Sequence, residues 1–148
     1  MKKKRVRWGR VILAGLLATI VGFVVGYILY GAMNGVYAQY ADLPYAKPMD
    51  SVAIYLITML AGGSVLTVLL ALVYAVIQTG LPGQKPLVKG LSFGVMLMVV
   101  FMLPTAFNTW MQIAQPDVLI LIEAVNRSIG LMVQAVIIAL VYERGASA

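Results

Sequence analysis

Apolar residues occur in four long runs along this chain, separated by shorter segments rich in polar residues, proline and glycine. The runs occupy about residues 10–34, 51–79, 86–112 and 117–143. Each is long enough to cross a hydrocarbon core of about 30 Å as an α-helix, which needs roughly 20 residues. The pattern predicts an all-α fold in which residues 1–148 form a single domain, a four-helix bundle embedded in a membrane.

The composition supports a lipid environment rather than an aqueous one. Hydrophobic residues make up 62% of the chain and charged residues 11%, whereas a soluble domain has about 25% charged residues. The chain contains no cysteine and no histidine. Disulfides, thiol redox chemistry and histidine-ligated metal or haem are therefore excluded, and we expect no cofactor.

Basic residues are concentrated in segments that a four-span topology places on one side of the membrane. Nine lie before the first run, between the second and third runs, or after the fourth: Lys2, Lys3, Lys4, Arg5, Arg7, Arg10, Lys85, Lys89 and Arg144. The opposite loops contain only Lys47. This asymmetry predicts cytoplasmic N and C termini and a multi-pass location in the inner membrane of the cell. It indicates contact with membrane lipids and no binding of nucleic acid.

The middle of the chain resembles a loose group of uncharacterised four-span bacterial membrane proteins. The resemblance extends over residues 63–104 and includes Tyr74 near a helix end, a Gly-Leu-Pro-Gly turn at residues 80–83, and Leu103-Pro104. The group has no assigned activity. The resemblance therefore implies the four-span architecture and no catalytic residues.

The strongest candidate for a functional site is a pair of charges inside the fourth apolar run. Glu123 and Arg127 are four residues apart, which places both on one side of a helix, and Asn126 lies beside them. Arg127 is ten residues from Asp117, about 15 Å along a helix and near mid-membrane. Since a charge at that depth costs about 2.5–3.5 kcal/mol, the pair is expected to contact protein, water or a ligand.

Other spans contribute polar residues that are predicted to lie at a similar depth. Thr105 and Asn108 follow Pro104 in the third run, while Tyr30 and Tyr55 come from the first two runs. Proline removes a backbone hydrogen bond and frees a carbonyl, for which Asn126 or Arg127 is the expected donor. These residues together predict a polar pocket in the outer half of the bundle, and nearly plain hydrophobic packing in the inner half.

Glycines in the first two runs indicate close helix packing. Gly22 and Gly26 are four residues apart, and Gly62 and Gly63 lie in the middle of the second run. Small residues allow backbones to approach where lipid removes the hydrophobic driving force. Packing within one chain is the favoured interpretation, and contact between two copies is the alternative.

Three functional hypotheses fit these features. The first is a non-enzymatic accessory, scaffold, or small-ligand- or lipid-binding bundle that works as a homo-oligomer or within a larger membrane complex. The alternative is a transporter or channel subunit in which Glu123 and Arg127 line the pathway. The third is a lipid or quinone-type binder that uses the aromatic and methionine side chains of the third run together with the polar pocket. For the charged pair itself, a purely structural role in holding helices together is the competing interpretation.

Overall fold

The computed structural model of the chain describes residues 6–39, 51–113 and 115–144, apart from the side chains of Val52 and Tyr55. These residues form six α-helices and one π-helical segment. In chain order they are α1 (Trp8–Ala32), a short α2 (Asn34–Ala38), α3 (Val52–Ile77), α4 (Pro86–Leu97), the π segment (Met98–Met102), α5 (Leu103–Gln112) and α6 (Asp117–Glu143).

Four helical spans are long and apolar enough to cross a membrane. They are α1, the part of α3 from Leu56 to Ile77, the continuous helix from Pro86 to Gln112, and α6. The prediction of an all-α membrane protein with four spans is confirmed, and no strand occurs in the described residues. The first helix begins at Trp8 rather than residue 10, and α3 ends at Ile77 rather than residue 79.

The spans pack unevenly along their length. Helix α6 packs against both α1 and α4, and α3 packs mainly against α1. The most buried large side chains lie toward the end of the bundle at which α1 begins and α6 ends. They include Val11, Tyr74, Phe93, Ile138 and Tyr142. We call this the basic end, since Arg7, Arg10, Lys85, Lys89 and Arg144 lie there, and we call the opposite end the distal end.

Glycines bring the helix backbones together, although not all of the predicted ones do so. A methyl group at Gly15 would lie 2.6 Å from Cα of Val68, and one at Gly22 would overlap the amide of Gln134. In α4, the corresponding position at Gly90 lies 2.8 Å from Cα of Val136. Gly63 lies in ordinary contact with Thr19, but Gly26 and Gly62 have nothing within 4 Å.

A pair of buried threonines joins α1 to α3 next to these glycines. The hydroxyl oxygens of Thr19 and Thr67 are 2.6 Å apart, so one donates a hydrogen bond to the other. Each also lies within hydrogen-bond distance of the carbonyl four residues earlier, that of Gly15 or Gly63. The accepting hydroxyl can therefore donate to its own helix, which leaves neither side chain unsatisfied in the apolar interior.

The third span accommodates Pro104 through a change of helix type. The five residues of the π segment immediately precede α5, in which Pro104 is the second residue. The hydroxyl of Thr105 donates to the carbonyl of Phe101 at 2.6 Å. Asn126 donates to Tyr37 and Arg127 donates to Glu123. The sequence-based expectation that one of them donates to the carbonyl freed by Pro104 is therefore wrong for the described residues.

We predict that Gly90→Ala destabilises the protein by about 1–3 kcal/mol, because the added methyl group meets the backbone of α6 and the helices must separate. Gly26→Ala is the matched control, since open space surrounds that position and alanine favours a helix. Thermal unfolding of the purified protein in detergent measures both. Equal midpoints for the two variants would contradict the close contact between α4 and α6.

Candidate functional site

A shallow open groove lies between α5 and α6 toward the distal end. We call it the distal groove. Glu123 and Arg127 of α6 form one part of its wall, and Thr105 and Thr109 of α5 form another. The remaining wall residues are apolar: Met102, Ala106, Ile120 and Ala124. The groove therefore combines one charged pair and two hydroxyl groups with small or flexible apolar side chains.

The charged pair in the distal groove is only loosely joined. Nη2 of Arg127 lies 3.5 Å from Oε2 of Glu123, and the two side chains are 59% and 34% exposed. The other carboxylate oxygen of Glu123 accepts a hydrogen bond from Nε2 of Gln115 at 3.2 Å. Helical side chains point toward the N-terminus of their helix, so both charged groups extend toward the distal end.

The pair shares a side of α6 with Gln134, which contacts α1 farther along the helix. Residues 123, 127, 130 and 134 follow one side of the helix, at spacings of four, three and four. Gln134 contacts Gly22 of α1, yet Gly130, one turn nearer the distal end, has nothing within 4 Å. Gly26 of α1 is equally open. The described parts of α1 and α6 thus make contact near Gly22 and leave space beyond it.

Helix α3 is likewise more buried in the half near the basic end than in its distal half. Its buried stripe near the basic end includes Thr67, Ala71 and Tyr74, and helical spacing continues this stripe to Leu60 and Leu56. These two leucines are 38% and 37% exposed. Among the described residues, the side of α3 that forms the core near the basic end is therefore partly exposed in the distal half.

Asn126 belongs to a second polar cluster next to the distal groove. Its Nδ2 donates to the hydroxyl of Tyr37 at 3.2 Å, and the ring of Tyr37 stacks on Tyr30 with centroids 4.8 Å apart. Its Oδ1 is buried and has no hydrogen-bond partner among the described residues. The predicted pocket is thus divided between two sides of α6.

Of the remaining predicted site residues, only Thr105 is seen to line the distal groove. Asn108 is exposed on α5 and does not line the groove. The side chain of Tyr55 lies outside the described residues. Thr105 lines the groove, but its hydroxyl proton is directed to the carbonyl of Phe101.

Among the described residues, the more buried of the two ion pairs is at the basic end, and the sequence did not indicate it. Oε1 of Glu143 accepts hydrogen bonds from the hydroxyl of Tyr74 at 2.6 Å and from Nζ of Lys89 at 3.1 Å. The side chains of Lys89 and Glu143 are only 19% and 11% exposed. Helices α3, α4 and α6 are thereby joined through one carboxylate.

Arginines connect α1 to the same end of α6. Nη2 of Arg7 and Nη1 of Arg10 donate to the carbonyl of Tyr142 at 2.8 Å and 3.3 Å. The guanidinium of Arg7 also lies 5.1 Å from the ring centroid of Tyr142. Cations are favourable at a helix C-terminus, where carbonyl groups lack partners within the helix.

An aromatic cluster lies directly beneath these polar contacts. The ring of Tyr74 makes edge contacts with Phe93 and Tyr142, at centroid distances of 5.4 Å and 6.0 Å. All three residues are almost fully buried. The expectation of nearly plain hydrophobic packing in the inner half is therefore wrong, because charged and aromatic side chains close this end together.

Only part of this basic-end cluster had a signal in the sequence. In the sequence, Lys89 indicates membrane orientation, and Tyr74 is part of the resemblance to the four-span group. Glu143 lies at the end of its helix, where a charge needs no special explanation. Residues 74, 89 and 143 are far apart along the chain, so the sequence alone does not indicate that they are in contact. The contact forms only where the fold brings three helix ends together.

The fold and this geometry define a multi-pass membrane protein with four spans, whose described residues pack closely at the basic end and less closely at the distal end. The chain belongs to the DUF1761 family, described as a protein of unknown function, whose model matches residues 13–139. The predicted resemblance to a group with no assigned activity is thus confirmed. No curated protein and no solved structure matches this chain.

We predict that Lys89→Met destabilises the protein by about 3 kcal/mol, since it leaves Glu143 buried without its cation. Adding Glu143→Met should recover part of this loss, because the double variant contains no unpaired charge. Lys85→Met is the control, as Lys85 is exposed in the preceding turn. Unfolding in detergent gives the double-mutant cycle. Strictly additive effects would show that the two charges are not coupled.

Proposed function

We propose that this protein is a non-enzymatic membrane protein that binds a lipid-like molecule in the distal groove, and so serves as an accessory or scaffold in the membrane. The observation that carries the proposal is the position of Glu123 and Arg127. Both are partly exposed about 9–15 Å from the start of α6, a depth at which hydrocarbon alone would be an unfavourable neighbour.

The orientation in the membrane is part of the proposal. The nine-to-one distribution of basic residues supports cytoplasmic termini and a location in the inner membrane of the cell. The distal groove then opens in the outer half of the bilayer, where a lipid of the outer leaflet can approach it laterally.

An amphiphile suits both parts of the distal half. A polar head can contact the charged pair and the hydroxyls of Thr105 and Thr109, while an apolar tail can lie against the apolar residues of the same wall: Met102, Ala106, Ile120 and Ala124. A purely apolar ligand would leave the charges without partners. A purely polar ligand would make no favourable contact with the apolar residues of the wall.

The lack of catalytic chemistry also favours binding. The sequence offers no cysteine or histidine, and both oxygens of Glu123 lie within contact distance of Gln115 or Arg127. A carboxylate held in this way is a poor general base. Membrane lipids are therefore the proposed partners, and a larger assembly is the proposed setting.

We predict that Glu123→Leu/Arg127→Leu strongly reduces labelling of the distal groove by a phospholipid that carries a photoreactive acyl chain. The double change removes the head contacts without leaving an unpaired charge. Labelled peptides from protein in vesicles are mapped by mass spectrometry, and the expected sites lie on α5 and α6 near residues 105–127.

The control for this experiment is Val125→Ala/Ile129→Ala, which changes exposed apolar residues on another side of α6 at the same spacing. Labelling spread evenly over all exposed apolar residues in both variants and wild type would contradict a specific lipid site. Labelling from both membrane sides of a single Thr109→Cys by a water-soluble maleimide would instead support a transport pathway, since the native chain has no cysteine.

A further inference from the structure

We propose that the distal groove selects a neutral amphiphile whose head presents carbonyl oxygens, such as an ester, a ketone or a quinone, rather than an anionic lipid. This inference rests on the proposed lipid-binding function and names the class of ligand. It follows from the hydrogen-bond donors of the groove that have no acceptor among the described residues, and from the net charge of the groove.

Both carboxylate oxygens of Glu123, the charged acceptor of the groove, already have hydrogen-bond donors. Oε1 of Glu123 accepts from Gln115, and Oε2 faces Arg127. A ligand head composed mainly of donors would have to compete with both contacts for the same two oxygens. The groove is therefore poorly suited to a head such as an ammonium group.

Donors, by contrast, remain available. A guanidinium has five N–H groups, and among the described residues Arg127 has one hydrogen bond, a long contact of 3.5 Å. Thr109 lines the groove, and its hydroxyl makes no hydrogen bond within the part of the chain that the structure describes. A head with acceptor oxygens would satisfy these donors.

Charge balance decides between neutral and anionic acceptors. Glu123 and Arg127 are 3.5 Å apart and together have no net charge. An anionic head would add an uncompensated negative charge inside the membrane, where a single charge is strongly disfavoured. A carbonyl oxygen accepts the same hydrogen bonds without changing the net charge.

The position of the donors fits such a head. Arg127 points toward the distal end, so its guanidinium lies closer to that membrane surface than its own Cα does. Ester carbonyls of lipids and the polar rings of quinone-type molecules lie below the charged headgroups, closer to this level. The ligand can thus bind without drawing a phosphate into the hydrocarbon.

The chain contains a reporter for this site. Its two tryptophans are Trp8 at the basic end and Trp110, which follows Thr109 on α5. Trp110 is 57% exposed, so a bound brominated molecule can approach it and quench its fluorescence. Trp8→Phe leaves Trp110 as the only tryptophan, and Trp110→Phe leaves Trp8 as the control at the other end.

The test compares three probes with the same brominated chain: a fatty acid methyl ester, the corresponding fatty acid at about pH 9, where it is ionised, and a bromoalkane without a head. Each is titrated into the Trp8→Phe protein in neutral detergent. We expect saturable quenching of Trp110 by the ester. The anion and the bromoalkane should each bind at least about tenfold more weakly than the ester.

Variants assign the ester's affinity to the donors. In the Trp8→Phe background, Glu123→Leu/Arg127→Leu should reduce binding of the ester to the level of the bromoalkane. Val125→Ala/Ile129→Ala should leave it unchanged. Quenching of Trp8 in the Trp110→Phe protein should not saturate, because that tryptophan lies far from the groove.

The possible failures are distinguishable. Equal or tighter binding of the anion, or equal binding of the bromoalkane, would overturn the inference about the head while leaving a lipid site in place. Absence of saturable quenching of Trp110 by every probe would overturn the proposed function itself. Formation of a covalent dimer through Thr109→Cys would, in that case, identify a second copy as the occupant.

Discussion

The carboxylate of Glu143 is the contact on which the arrangement of the spans depends. One oxygen accepts hydrogen bonds from Tyr74 and Lys89, so that α3, α4 and α6 meet at a single atom. Arg7 and Arg10 bring in α1 through the adjacent carbonyl of Tyr142. In a membrane, where hydrophobic burial does not drive helices together, such polar contacts and close packing at glycines determine which helices are neighbours.

An asymmetric bundle follows from concentrating these contacts at one end. Glycine contacts at Gly15, Gly22 and Gly90 continue the packing toward the middle of the membrane. Beyond that level, a methyl group added at Gly26 or Gly130 would meet no described residue within 4 Å, and Glu123 and Arg127 remain partly exposed. The distal half can therefore offer a binding surface without weakening the network that holds the spans together.

Much of the fold could be predicted from hydropathy, because a membrane span requires a long apolar run and little else. The bounds of the last two spans, from Pro86 to Gln112 and from Asp117 to Glu143, agree with the pattern. Glu123 and Arg127 were also apparent, since charges are rare in such runs. Their helical spacing places them on one side of α6, as the structure shows.

The neighbours of each residue could not be predicted in the same way. Gly22 and Gly26 have identical signals in the sequence, yet a methyl group would meet Gln134 of α6 at Gly22 and no described residue at Gly26. Asn126 looked like part of the charged site but bonds to Tyr37. Such differences depend on crossing angles and rotations of helices, which hydropathy does not encode.

The π segment has a consequence for how the third span is organised. A π-helical turn is equivalent to an α-helix with one inserted residue, and one residue corresponds to a rotation of about 100° around the helix axis. Helices α4 and α5 are therefore out of phase, although they form one continuous span. The phase of α4 turns Gly90 toward α6 and Phe93 into the core. The different phase of α5 turns Thr105 and Thr109 toward the groove. Loss of a single residue between Met98 and Met102 would put both halves in one register and turn a different side of α5 toward α6.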